Sequence, residues 1–312
     1  MTRKIIVFGS RGQVGQSLMS FDSAHNLSII GFSHGDIDIT KERDVIAAIQ
    51  DYDCDLVINA AAYTNVDGAE GEKEKAFSIN FDGPAILAQA CCDADIPLIH
   101  ISTDYVFDGM KKLGYNENDD TNPQGVYGLA SLQGERAVRQ HNNHIVIRSG
   151  WLFGKKKKGL IKSWIRAAKI NRGQVPVTSR RLSPTYTGHL AQAILAVIQQ
   201  VDCDANVWGT YHYSGLETKR EIEFVEQVIK YAANDDEPIY KLLDSINIVE
   251  QDVHAPEIFN STLSSKKIFD TFGIKQKSWH GDLQEVIKTL YEGVYRSEGT
   301  APENESTESD AA

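Results

Sequence analysis

Lys4-Ile5-Ile6-Val7-Phe8-Gly9-Ser10-Arg11-Gly12-Gln13-Val14-Gly15-Gln16-Ser17-Leu18-Met19 is the stretch whose reading decides the architecture. Lys4–Phe8 is a short apolar run closed by glycine, the pattern of a buried strand. Gly9, Gly12 and Gly15 follow at intervals of three, and Gln16-Ser17-Leu18-Met19 continues as a helix. Glycine without a side chain lets the backbone approach a pyrophosphate, whose charge is met by the start of the helix. Turns also use glycine for backbone reasons alone. The place of this triplet, after a first strand and before a helix, gives it weight. Gly9, Arg11, Gly12, Gln13, Val14 and Gly15 are therefore candidate cofactor-binding residues.

Working outward, apolar runs recur at Leu27–Phe32, Leu56–Asn59, Leu98–Thr103 and His144–Arg148. Helical patterns separate them: Lys41–Gln50, with Val45, Ile46 and Ile49 on one face, then Glu70–Asn80 and Gly83–Asp93. Alternating strands and helices predict an α/β fold, a Rossmann-like doubly wound parallel sheet. Ligands of such sheets sit outside the carboxyl ends of the strands. That places Thr103 and Tyr127 on one rim, a hydroxyl facing a phenol, which suits proton delivery to a carbonyl being reduced. Taken singly, each is also an ordinary strand end or helix start. Ala60, Ala61 and Ala62 leave room for a flat cofactor. The second strand ends in Gly31-Phe32-Ser33-His34, with no carboxylate before Asp36 and Asp38. The Arg11 guanidinium can meet a 2′-phosphate, although a solvated loop charge is its plainer reading. Together these favour NADP(H) over NAD(H). Residues 108–125, rich in Gly, Asn, Asp and Lys, read as an exposed loop long enough to be functional.

The composition excludes several classes. The 312 residues are 41% hydrophobic and 24% charged, ordinary for a soluble globular chain of one large or two modest domains. A net charge of −11 argues against nucleic-acid and anionic-membrane partners. No apolar run is long enough to span a bilayer, and the first strand is too short for a signal peptide. The four cysteines, Cys54, Cys91, Cys92 and Cys203, lack metal-ligand spacing, and adjacent Cys91-Cys92 is a poor disulfide pair. Reduced thiols and a cytoplasmic location are expected. The domains expected are a dinucleotide-binding region at 1–154, a smaller α/β substrate-binding region at 155–296 and a disordered acidic tail at 297–312. Some segments of the second region return to the first sheet. Leu160–Ile170 is amphipathic, and His280–Tyr295 reads as the last helix. Lys155–Lys158 suits a solvated loop somewhat better than a diphosphate site.

Four segments carry a resemblance. They are Ile101-Ser102-Thr103-Asp104-Tyr105-Val106-Phe107-Asp108-Gly109, Tyr127-Gly128…Leu132-x-Gly134-Glu135, Asn59-Ala60-Ala61-Ala62-Tyr63-Thr64-x-Val66-Asp67 and Asn80-x-Asp82-Gly83-Pro84. In that order they resemble the dTDP-4-dehydrorhamnose reductases, a branch of the extended short-chain dehydrogenase/reductases. The resemblance implies NADPH-dependent reduction of a nucleotide-activated 4-keto-6-deoxy sugar, with Thr103 and Tyr127 catalytic. It also implies that Asp38-Ile39 meets the adenine and that Asn80 is the active-site asparagine of the superfamily. Tyr63, Val66, Asp104, Tyr105 and Trp151 then face the sugar. The chain departs from the family at Ser131, where the pattern Tyr-x-x-x-Lys has a lysine that lowers the tyrosine pKa and holds the nicotinamide ribose. Asp-Gln becomes Ser179-Arg180, an aspartate becomes His189, and the Arg-Pro before Asn260-Ser261-Thr262-Leu263 is missing. These losses keep a second reading open, an NADP-binding regulatory subunit like the methionine adenosyltransferase β subunit. A 4,6-dehydratase is disfavoured, because that relative carries an acid directly after Thr-Asp and this chain has Tyr105. A nucleotide sugar is the expected partner. A homodimer stays open, and no metal-ligand set stands out.

Overall fold

The computed structural model describes residues 2–21, 26–155, 159–171, 173–201, 207–250, 255–256 and 258–298. Cys203, three of the four lysines at 155–158 and the tail from residue 299 lie outside the described residues. Six strands form one sheet: β1 (Arg3–Phe8), β2 (Leu27–Phe32), β3 (Leu56–Asn59), β4 (Leu98–Thr103), β5 (His144–Ser149) and β6 (Gly209–His212). Their order is β6-β5-β4-β3-β1-β2, and every pairing is parallel. From β1 the chain steps outward to β2, then returns to lay β3 on the other side of β1. That reversal makes the crevice above β1 and β3 the place where a doubly wound sheet takes a ligand.

The strands are buried on both faces, which explains their nearly unbroken apolar runs. On one face Val14 and Leu18 of α1 (Gln13–Met19) pack with Leu190, Ile194 and Val197 of the helix Thr187–Ile198. On the other, Val45 and Ile49 from α2 (Glu42–Tyr52), Leu87 and Cys91 from α3 (Gly83–Asp93), and Val138 from α4 (Val126–Val138) cover the sheet. A second core gathers Phe153, Trp164, Phe224, Trp279 and Leu283 under the helices Leu160–Ile170, Glu221–Ala232 and His280–Glu298. Among the described residues, no helix is long and apolar enough to cross a membrane.

Three expectations need correction. The single helix expected over 70–80 is Val66–Gly71, Lys73–Phe77 and a π-helical turn Ser78–Asp82 running into α3. Residues 108–125 are not wholly exposed. Tyr115 is buried, its ring stacks on Phe107 at 4.2 Å between centroids, and its backbone bridges to Leu263. The last helix runs on to Glu298, so the first residues of the expected tail are helical. The Cys54 and Cys91 thiols are free and buried, and Cys92 is free and exposed. Burial pushes the Cys54 thiol up to about 11.

Candidate active site

The cofactor end is built by close backbone packing. Gly9 has φ +82°, a left-handed conformation that favours glycine. A Cβ there would sit 2.5 Å from the Ala61 nitrogen and 2.6 Å from the Ala60 carbonyl carbon. A Cβ on Gly15 would lie 2.1 Å from the Gly9 oxygen, and one on Gly12 3.1 Å from it. The glycines thus let α1 close onto the turn, and the turn close onto the end of β3. Val14 is core, Gln13 is half-buried and Arg11 is exposed. Ala60 and Ala61 are half-buried and Ala62 is exposed. The close-packed glycine positions of this turn, at the switch point, fit a dinucleotide.

Near the end of β2, Asp36 accepts hydrogen bonds from the Ser33 backbone N–H (2.8 Å) and hydroxyl (2.5 Å). These bonds, with the Arg11 charge beside them, hold its carboxyl below the usual range. Asp38 accepts from the Thr40 backbone N–H and hydroxyl. Ile39 is buried, and a Cβ on Gly83 would meet its side chain at 2.5 Å.

At the other end, β4 delivers Thr103 and α4 delivers Tyr127. Gly125 caps α4 without a side chain, and Glu70 Oε1 accepts the Val126 N–H (2.7 Å). The Thr103 hydroxyl lies close enough to the Tyr127 phenol to favour its phenolate form, but burial dominates and pushes the phenol above its ordinary value. Tyr105 packs edge-on against Tyr127, with ring centroids 5.3 Å apart. Trp151 follows β5 with φ +51°, a strained conformation for a bulky residue and the kind that clusters at functional sites. Its ring stacks on Trp164 and lies 5.2 Å from the Arg180 guanidinium. Arg180 also donates to the Tyr105 hydroxyl and, at 2.7 Å, to Thr178 Oγ1. Burial pushes the Tyr105 phenol up to about 12. Asp104 is 1% exposed. Its Oδ1 accepts from the Thr103 hydroxyl at 3.0 Å, while its Oδ2 has no hydrogen-bond partner.

Ser131 Oγ donates back to the Tyr127 carbonyl (2.8 Å) and lies 3.5 Å from Asn80 Nδ2. The Asn80 amide clamps the Tyr63 backbone on both sides, at 2.8 and 3.0 Å. The Tyr63 phenol donates to Glu72 (2.6 Å), and that carboxylate pushes it up to about 12. Val66 is half-buried and opens the short helix capped by Asn65. Thr103, Asp104, Tyr105, Tyr127 and Trp151 therefore gather at one place, with Tyr63, Asn80 and Ser131 forming the wall behind. Arg11, Asp38 and Ile39 belong to the β2 end. Sequence reasoning missed Arg180 and Glu70. In the sequence Arg180 stands out only as a departure from the family pattern, and an arginine just before Pro184-Thr185-Tyr186 is the available signal. A shallow cleft is lined by Gln13, Trp151, Trp164 and Leu290, and Tyr127 is not part of its lining.

The family model for the RmlD substrate binding domain matches residues 3–292. The chain belongs to this family. A dTDP-4-dehydrorhamnose reductase of Sinorhizobium fredii is 30% identical over 297 residues, 92% of this chain and 97% of that protein. Two crystal structures of similar proteins are each 28% identical to this RmlD-family chain. One is a dTDP-4-dehydrorhamnose reductase from Clostridium acetobutylicum, with TM-score 0.82 over 92% of this chain and 99% of that one. The other is its counterpart from Bacillus anthracis in complex with NADP, with TM-score 0.80 over 94% and 100%.

Proposed function

We propose that the chain is an NADPH-dependent 4-ketoreductase of a nucleotide-activated 4-keto-6-deoxy sugar. The observation that carries this is the convergence of the Tyr127 phenol and the Thr103 hydroxyl at the carboxyl end of β4, beside Trp151. The Gly9–Gly15 turn would hold the pyrophosphate of a dinucleotide, which when bound would supply the hydride. The chain's own part is to orient the ketone and hand over a proton. Trp151 and Tyr105 offer apolar faces to the sugar ring, and Tyr127 gives its proton to the ketone oxygen as negative charge develops there. An ordinary tyrosine has a pKa of about 10, and burial raises this one further. Tyr127 is therefore a protonated acid at neutral pH without help from a lysine. That state serves reduction and handicaps alcohol oxidation, which needs the phenolate. Arg11 supports NADP(H) over NAD(H), and the relatives' names support dTDP as the nucleotide.

The test is NADPH oxidation with a dTDP-4-keto-6-deoxy sugar. Tyr127→Phe is expected to lower turnover by roughly 10²- to 10⁴-fold while NADPH still binds. A wild-type chain that binds NADPH and turns over no such sugar would instead be an NADP-binding regulatory subunit.

A further inference from the structure

We propose that Arg180 is a positioning residue of this site, holding the Tyr105 hydroxyl as an acceptor so that the Tyr105 proton is reserved for an oxygen of the sugar. The proposal rests on the reductase reading above and adds a residue and a hydrogen bond to it.

A guanidinium only donates, and a carboxylate only accepts. Between these two fixed ends the direction of each hydrogen bond around Arg180 follows. Its Nη1 donates to the Tyr105 hydroxyl, and its Nε donates to Thr178 Oγ1 at 2.7 Å. The Thr178 hydroxyl gives its own proton to Glu221 Oε2, which also accepts the Thr178 backbone N–H at 3.2 Å. The Arg180 carbonyl in turn accepts the Glu221 N–H at 2.9 Å. Glu221 is 4% exposed and opens the helix Glu221–Ala232. The guanidinium is thus anchored to a helix start in the second core and reaches from there to the turn after β4.

Tyr105 is left with one setting. Its oxygen accepts from Arg180, and a phenol has a single proton, which cannot point back at a donor. Among the described residues, no other hydrogen-bond partner meets that hydroxyl, so the proton is available to a ligand. Accepting from a cation also polarises the O–H and makes it a stronger donor. The place is beside the reacting group, since the Tyr105 and Tyr127 ring centres are 5.3 Å apart. The same guanidinium lies 5.2 Å from the Trp151 ring centre, and its side chain is 12% exposed, so bulk water screens it little.

A bond from Tyr105 to a sugar oxygen away from the ketone is made before reduction as well as during it. Its loss therefore raises KM and leaves kcat alone. Arg180→Met keeps the length of the stem and removes every donor. It is expected to raise the sugar KM about tenfold, with kcat and NADPH affinity unchanged, and Tyr105→Phe does the same. Together the two cost about tenfold, not the roughly hundredfold of independent losses, because Arg180 acts through a hydroxyl that is gone. Arg180→Lys, which can still only donate, brings KM back to within about threefold of the wild type.

Additive losses overturn the positioning role and make Arg180 a direct sugar contact. A fall in NADPH affinity, or Arg180→Lys no better than Arg180→Met, overturns it in favour of packing. If Arg180→Met does not fold, Thr178→Val, which removes the acceptor at Nε, takes its place in the cycle. If the wild type binds dTDP-4-keto-6-deoxy sugar without turning it over, the reductase reading fails, and calorimetric Kd values replace KM in the same cycle. No binding of that sugar overturns both.

Discussion

The two ends of α4 treat buried polar groups in opposite ways. At its carboxyl end, Glu135 is fully buried and accepts from Arg148 Nε and Nη2 (both 2.8 Å), Ser102 Oγ (2.5 Å) and Arg139 Nη2 (2.5 Å). Arg148 is 2% exposed and also lies 5.0 Å from the Phe107 ring centre. Everything there is paired, and β4, β5 and α4 are keyed together by one carboxylate. Two turns earlier, Tyr127 is half-buried, Asp104 keeps an oxygen without a partner, and Ser131 turns its hydroxyl to the Tyr127 carbonyl. A closed polar network fixes geometry, whereas an incomplete one keeps valences free for chemistry. The first lets the second be placed accurately.

The largest test of that contrast is Glu135→Ala. It leaves the Arg148 guanidinium buried and unpaired, which costs about 3–5 kcal/mol. Urea denaturation should show that loss, and Tyr127→Phe should show far less; equal losses would erase the distinction.

Acid should next strike the closed side. Burial lowers His100 from 6.5 to about 4, so the folded chain holds it neutral. Below about pH 6.5 the unfolded chain binds more protons, and stability falls as the pH drops from 6.5 towards 4. At 1.36 kcal/mol per pH unit this amounts to about 3 kcal/mol. Melting temperatures across that range should decline in the wild type and less steeply in His100→Asn.

Arg11→Ala addresses the open cleft. Loss of one charge-assisted bond, about 1.5–3 kcal/mol, weakens NADPH roughly ten- to hundredfold and leaves NADH unchanged, as calorimetric titration would show. The smallest effect is expected from Ser131→Lys. Placing an ammonium at the open end should tighten NADPH and raise turnover about tenfold, because looser positioning alone slows reactions. Equal affinity and rate would remove any ligand role from that position.

Much of the sheet was legible because its strands are buried on both faces, so Leu27–Phe32, Leu56–Asn59 and Leu98–Thr103 stand out as continuous apolar runs. Leu160–Ile170 was legible from its apolar stripe. The break within 66–82 was not, because it depends on Asn80 reaching back to the Tyr63 backbone, a contact that no local period encodes. Thr103 and Tyr127 could be paired in advance through the strand-end rule for parallel sheets. The Arg180 contact with Tyr105 joins residues 75 apart in sequence, and the burial of Asp104 depends on packing from β5. Neither has a local signature.

The segment from Tyr63 to Asp82 is fastened to α4 twice, by Glu70 at the Val126 N–H and by Asn80 beside Ser131. Those two rivets straddle Tyr127. The segment and the first turns of α4 are thus held together on both sides of the phenol, so a substitution that loosens either bond is expected to disturb the helix that carries it.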